Sequence, residues 1–166
     1  IICMLCSCNK EAHNPGSDIQ GKAPLNLSVS TLTHQTRNLI TGSSLASGSK
    51  IGLALTDRTG AEYNGLPYSN VCYTASGSSS AQTWNPDIDV MLSSSEAELY
   101  AYFPYSDKVT DISRIPVKAS SDIQTDYMYA YPIKGLSNRN TNASITLQHA
   151  LAAVRLSLSR GSYSGT

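Results

Sequence analysis

Apolar residues recur at every second position in short runs, and this spacing constrains the fold more than any other feature of the chain. Leu25, Leu27 and Val29 alternate with Asn26, Ser28 and Ser30. Ile51, Leu53 and Leu55 alternate in the same way, and so do Leu99, Ala101 and Phe103. Period two sends successive side chains to opposite faces of an extended backbone, so each run reads as a half-buried β-strand. Val71, Tyr73 and Trp84 mark further strands, Asp89-Val90-Met91-Leu92 is a short run, and Tyr127–Ala130 is a strand ended by Pro132. Turn signals part the runs. Asp57-Arg58-Thr59-Gly60 reads as a hairpin turn into Ala61-Glu62-Tyr63, and Asn64-Gly65-Leu66-Pro67 as a second turn. Thr33–Asn38 and Ser76–Ser80 read as polar connections between strands. Ile115-Pro116-Val117 fits only an edge strand, because Pro116 has no N–H to give to a ladder.

The last segment has helix-favouring alanines but keeps period two. Ile145, Leu147, His149 and Leu151 share one parity, and Ala152, Val154, Leu156 and Leu158 the other. A β-bulge near Leu151-Ala152 inserts one residue and produces this flip. A helix here would set Gln148 and Arg155 on the same face as Leu151. About seven to nine short strands separated by turns indicate an all-β fold, an antiparallel β-sandwich.

Composition supports this. The 166 residues include 26 Ser and 13 Thr but one Phe and one Trp, a polar, uncharged profile that suits sheet faces and loops better than helices. Twelve basic and twelve acidic residues cancel, which leaves no basic face for nucleic acid.

The N-terminus carries its own signal. Ile1-Ile2-Cys3-Met4-Leu5-Cys6-Ser7-Cys8 is apolar or small and then gives way to Asn9-Lys10-Glu11. This run is far shorter than the ~20 residues that span a bilayer. It looks like the end of a signal-peptide core, and Leu5-Cys6-Ser7-Cys8 resembles a bacterial lipobox, with small residues before the cut and a free thiol at it. Cys8 is the lipidation candidate. Two other readings of these cysteines are a buried strand of small hydrophobes and a metal site, although His13, His34 and His149 show no paired ligand spacing. Residues 1–8 thus read as the end of a signal peptide and 9–24 as a tether. Residues 25–166 read as the β-sandwich domain.

Taken in order, several stretches resemble the fimbrillin family, the Mfa-like and FimA-like surface lipoproteins of anaerobic Gram-negative bacteria. They are Cys8-Asn9-Lys10-Glu11, Thr36-Arg37 followed by Ser44–Leu53, Leu99–Tyr105, Gln124–Ala130 and Leu147–Ala152. Leu45, Ser49 and Leu147 stand where the family usually has Phe, Asp and Phe. The resemblance implies a Greek-key, transthyretin-like sandwich with a second, C-terminal domain missing from this chain. It implies a non-enzymatic structural subunit of surface fimbriae, exported as a lipoprotein and held at the outer membrane by lipid on Cys8. It also implies proteolytic processing after Arg37, loss of the strand Leu25–Leu32, and filling of the resulting groove by a strand from another fimbrial subunit. The alternative is a non-polymerising surface lipoprotein that binds glycan or host protein through exposed tyrosines and Trp84. A β-sandwich hydrolase would need a nucleophile and an orienter beside His149, and the sequence offers neither. His149 therefore reads as a hydrogen-bonded core residue, and the tyrosines at 100, 102, 127, 129 and 131 as core or sheet-face residues. Neither Asp87 with Asp89 nor Asp107 with Asp111 has an EF-hand pattern, and no cofactor is expected.

Overall fold

The computed structural model describes residues 21–35, 38–78, 80–118 and 125–150. Eleven strands run in chain order: β1 (Ala23–Pro24), β2 (Asn26–Gln35), β3 (Asn38–Ser43), β4 (Lys50–Thr56), β5 (Val71–Ser76), β6 (Thr83–Pro86), β7 (Met91–Leu92), β8 (Ala97–Phe103), β9 (Met128–Tyr129), β10 (Ile133–Leu136) and β11 (Asn142–His149). The fold is all-β, as the alternation requires. β7 and β9 are two-residue pairings within the expected runs Asp89–Leu92 and Tyr127–Ala130, whereas β1 is too short for a period to reveal.

The main sheet runs β3-β2-β11-β9-β8-β4-β5-β6, with β10 also paired to β8 and β1 paired to β7. It turns back on itself at β11. The Asn142–Leu147 stretch pairs with β2, and Gln148–His149 pair with β9. Ala143, Ile145 and Leu147 of β11 therefore meet Ile51, Leu53 and Leu55 of β4, Val71 and Tyr73 of β5, and Leu99 and Ala101 of β8 in one buried cluster. The odd-numbered alternation in each strand is the cause. Every second side chain faces the same interior.

Three expectations need correction. The sandwich is antiparallel except for one pair: β2 runs parallel to β11. Thr33–Gln35 is strand and not connection, since β2 continues to Gln35 and β3 begins at Asn38, with their backbones paired from Gln35↔Asn38 to Thr31↔Ser43. Ile115-Pro116-Val117 forms no strand. Asp111 instead turns the chain there, accepting from the Ser113 amide at 2.9 Å while its carbonyl accepts from Arg114 N–H at 3.0 Å. The expected bulge at Leu151-Ala152 lies outside the described residues.

β4 is buried on both faces. Its outer face carries Gly52 and Ala54, and the chain after β8 folds back over it, with Tyr105 N–H donating to Lys50 O at 2.9 Å. Tyr102, 1% exposed, lies under this segment. Its hydroxyl reaches Asn70 Oδ1 at 2.9 Å and Ser106 O at 3.1 Å and accepts from Ser106 N–H at 3.2 Å. The Asn70 side-chain amide in turn donates to Ser106 O and Val109 O. The ring fits because Gly52, its cross-strand partner, has no side chain.

Turn chemistry accounts for the connections. Asp57 Oδ1 accepts from the Thr59 amide, the Thr59 hydroxyl and the Ala61 amide at 2.7, 2.7 and 3.0 Å. These bonds hold its carboxyl below the usual carboxylate range, the Thr59 hydroxyl contributing most. Gly60 supplies the positive φ that closes the turn. Tyr63, wholly buried, caps the next loop by donating to Ser95 O at 2.8 Å and accepting from Ser93 N–H at 2.9 Å.

Candidate subunit interface

β2 pairs with β11 along Asn26–Thr31 and with β3 along Thr31–Gln35, and two residues separate β2 from β3. β3 has no other partner strand among the described residues. β2 therefore lies in a slot that β11 flanks along its first half and β3 along its second. Its inward side chains include half-buried Leu27 and Val29, packed against the core, and buried Thr31, and Leu25, just before the strand, is 9% exposed. The backbone entering the strand is fixed as well, with Leu25 N–H donating to Val90 O and Asn26 N–H to Thr141 O, both at 2.9 Å.

The outward face of β2 makes a ladder of side-chain bonds to β11. Asn26 Nδ2 donates to Thr141 Oγ1 at 3.1 Å and Asn142 Oδ1 at 3.3 Å. The Ser28 hydroxyl donates to Ser144 Oγ at 3.1 Å. Ser30 lies 3.3 Å from both Thr146 Oγ1 and Ile145 O. Six residue pairs, from Asn26↔Asn142 to Thr31↔Leu147, define the parallel register.

Cys8 and Arg37, the two site residues expected from the sequence, lie outside the described residues.

The expectations for His149 and Trp84 are corrected. His149 keeps the parity of Ile145 and Leu147 but ends the strand on the exposed side, where its Nδ1 lies 2.7 Å from Asp126 Oδ1. No serine or cysteine among the described residues hydrogen-bonds to it. Trp84 is buried and cannot serve as a surface platform. Tyr102 is core, whereas Tyr129 and Tyr131 are 39% and 71% exposed and meet edge to face at 5.9 Å. Beside them Phe103, Ile112, Ile115, Val117 and Met128 line an apolar groove of about 280 Å³. No signal in the sequence separates these two exposed tyrosines from the buried ones, because all sit in similar aromatic runs.

The acidic pairs are engaged in local structure. Asp87 accepts from Cys72 N–H at 3.0 Å, and Asp111 from the Ser113 hydroxyl at 2.6 Å. No group of three His, Cys, Asp or Glu residues able to hold a metal occurs among the described residues.

Comparison with known proteins agrees with the architecture. Residues 36–165 match the family model described as fimbrillin-like. Among solved structures, a candidate cell adhesion protein from Bacteroides ovatus superposes with a TM-score of 0.58 at 16% identity, over 78% of this chain and 53% of that one. A candidate cell adhesion protein from Bacteroides uniformis gives 0.52 at 16%, over 78% and 48%. A fimbrial protein from Bacteroides ovatus gives 0.51 at 18%, over 76% and 28%. The chain spans about half or less of the length of these structures, and at such identities the likeness is one of fold. No curated protein matches the sequence.

Proposed function

The chain belongs to the fimbrillin-like family, and on that premise we propose that it is a non-enzymatic structural subunit of a bacterial surface fimbria. It is exported as a lipoprotein through Cys8, anchored at the outer membrane, and assembled by strand exchange after a cut at Arg37. The observation that carries this reading is the position of β2. It is paired with β11 along its first half and with β3 along its second, and it joins the following chain through residues 36–37. One cut there severs β2 from everything after it. Its departure leaves Asn142–Leu147 unpaired along one edge and strips β3 of its partner. An open edge of this kind pairs readily with another strand. The inward side chains lost are few, and a fully buried leucine or valine contributes about 1.5–3 kcal/mol. A strand from another subunit restores both the ladder and that burial, so assembly follows the cut.

The test is limited digestion of the full chain with an Arg-specific protease. Arg37 is cleaved before Arg58, Arg114 or Arg139, and the nicked protein oligomerises while the intact protein stays monomeric. Resistance at Arg37, or a nicked protein that stays monomeric, refutes the reading. For the anchor, Cys8→Ser abolishes palmitate labelling and release from the precursor form. Continued labelling assigns the lipid elsewhere.

A second reading, a non-polymerising surface lipoprotein that binds glycan or host protein, is favoured by the exposed Tyr129–Tyr131 pair. Such rings can stack on the apolar face of a sugar or seat in a protein hot spot. Alanine at both positions abolishes cell adherence under this reading and leaves it unchanged under the first.

A further inference from the structure

We infer, on the basis of the strand-exchange reading above, that the outer face of β11 selects its partner strand. Asn142, Ser144 and Thr146 favour strands from another subunit that present a small hydrogen-bonding side chain at every second position and run parallel to β11. The inward residues, buried Thr31 apart, ask for apolar bulk, which any alternating strand supplies. The outward residues ask for more. Each rung pairs a short amide or hydroxyl of β2 with one of β11 at the same register: Asn26 with Asn142, Ser28 with Ser144, and Ser30 with Thr146. Ser28 and Ser30 also reach the backbone carbonyls of Ala143 and Ile145, at 3.5 and 3.3 Å. Those contacts belong to the parallel pairing of the two strands.

The rungs also limit slippage. A one-residue slip drives Ser28 toward the core and brings Leu27 outward, which burial forbids. A two-residue slip keeps the faces, and only the ladder opposes it. Along the chain the rungs are flanked by Pro24, before β2, and Leu32. Slipping either way sets one of these apolar side chains against Asn142 or Thr146. Cross-strand pairs of this kind contribute modestly one by one, and three in line add up.

The test uses the full chain with a specific protease site in place of residues 36–37. It is nicked and then offered a fluorescent peptide of residues 25–35. The natural peptide is compared with one carrying Asn26→Ala, Ser28→Ala and Ser30→Ala, each on the natural host and on a host carrying Asn142→Ala, Ser144→Ala and Thr146→Ala. All three host positions are exposed, so the substitutions spare the core. The alanine peptide enters the natural host about tenfold more weakly, and the difference shrinks on the alanine host, where only the bonds of Ser28 and Ser30 to the Ala143 and Ile145 carbonyls remain. Equal entry of both peptides, or the same loss on both hosts, overturns the selection while strand exchange stands. Failure of every peptide to enter overturns strand exchange and the selection with it. A quencher on the peptide N-terminus reports a fluorophore near Thr141; a signal near His149 instead overturns the parallel requirement.

Discussion

Gly52→Ala is the sharpest test of how the outer face of β4 is built. The glycine's φ is not in the left-handed region, so the backbone accepts alanine. The obstacle is a side chain. A Cβ at this position would lie 2.0 Å from Tyr102 Cε1, 2.3 Å from its Cζ and 2.6 Å from its hydroxyl oxygen. The ring must therefore leave, taking with it the hydroxyl's contacts to Asn70 and Ser106. Overpacking alone costs about 1–3 kcal/mol. Full displacement of a buried aromatic ring approaches the about 3–5 kcal/mol of a large-to-small core truncation. We expect about 3 kcal/mol, which for a chain of this size lowers Tm by roughly 6–12 °C. The decisive measurement is the same substitution in a Tyr102→Ala background, followed by urea denaturation. With the ring gone, alanine is neutral or gains up to ~1 kcal/mol, because glycine loses more backbone entropy on folding. An equal penalty in both backgrounds refutes the account, since the cost would then lie in the strand and not in the ring.

Three further outcomes are expected. Leu99→Ala, at a position 1% exposed, costs about 2–5 kcal/mol, and Phe103→Ala, only partly buried, costs less; denaturant midpoints in the reverse order contradict the burial pattern. Burial pushes the Cys72 thiol above its usual range, so peptide-resolved mass spectrometry finds it unalkylated by iodoacetamide at pH 8 in the native chain and alkylated after denaturation. The carboxyl of Asp57 is held below its ordinary range, so the stabilisation of its turn is present above the unfolded pKa and is lost as pH falls through the lower folded one. Amide shifts of Thr59 and Ala61 should titrate together in that acidic window, and a midpoint at or above the ordinary carboxylate range contradicts the hydrogen bonds.

What could be read in advance follows from the range of each interaction. Leu53, Leu99 and Ile145 announced their strands because burial on one face imposes a period on neighbouring residues. Asp57–Gly60 announced its turn because the capping bonds join residues two to four apart. The parallel pairing of β2 with β11 joins residues more than a hundred positions apart, and nothing local in Asn26–Thr31 encodes the direction of a distant partner. His149 was misplaced for a related reason. Parity fixes the face of a strand, whereas depth depends on what covers its end, and Asp126 lies far off in sequence. Polar Thr33–Gln35 looked like a loop, yet backbone pairing with β3 needs no apolar side chains. The β2 slot was legible as a strand and as a connection bearing an arginine. The outward rungs were not, because serine and asparagine on an exposed face look the same with or without a partner.

The parallel pairing of β2 and β11 has a mechanical consequence. Consider tension applied between the start of β2 and the far end of β11. In a parallel pair those two points lie at opposite ends of the shared ladder. The load then runs along the strands, and all the bonds between Asn26 and Leu147 bear it together in shear. Had the pair been antiparallel, the same two points would have been adjacent, and the bonds would have parted one after another like a zipper. Tension between these two points is thus resisted by the whole ladder at once.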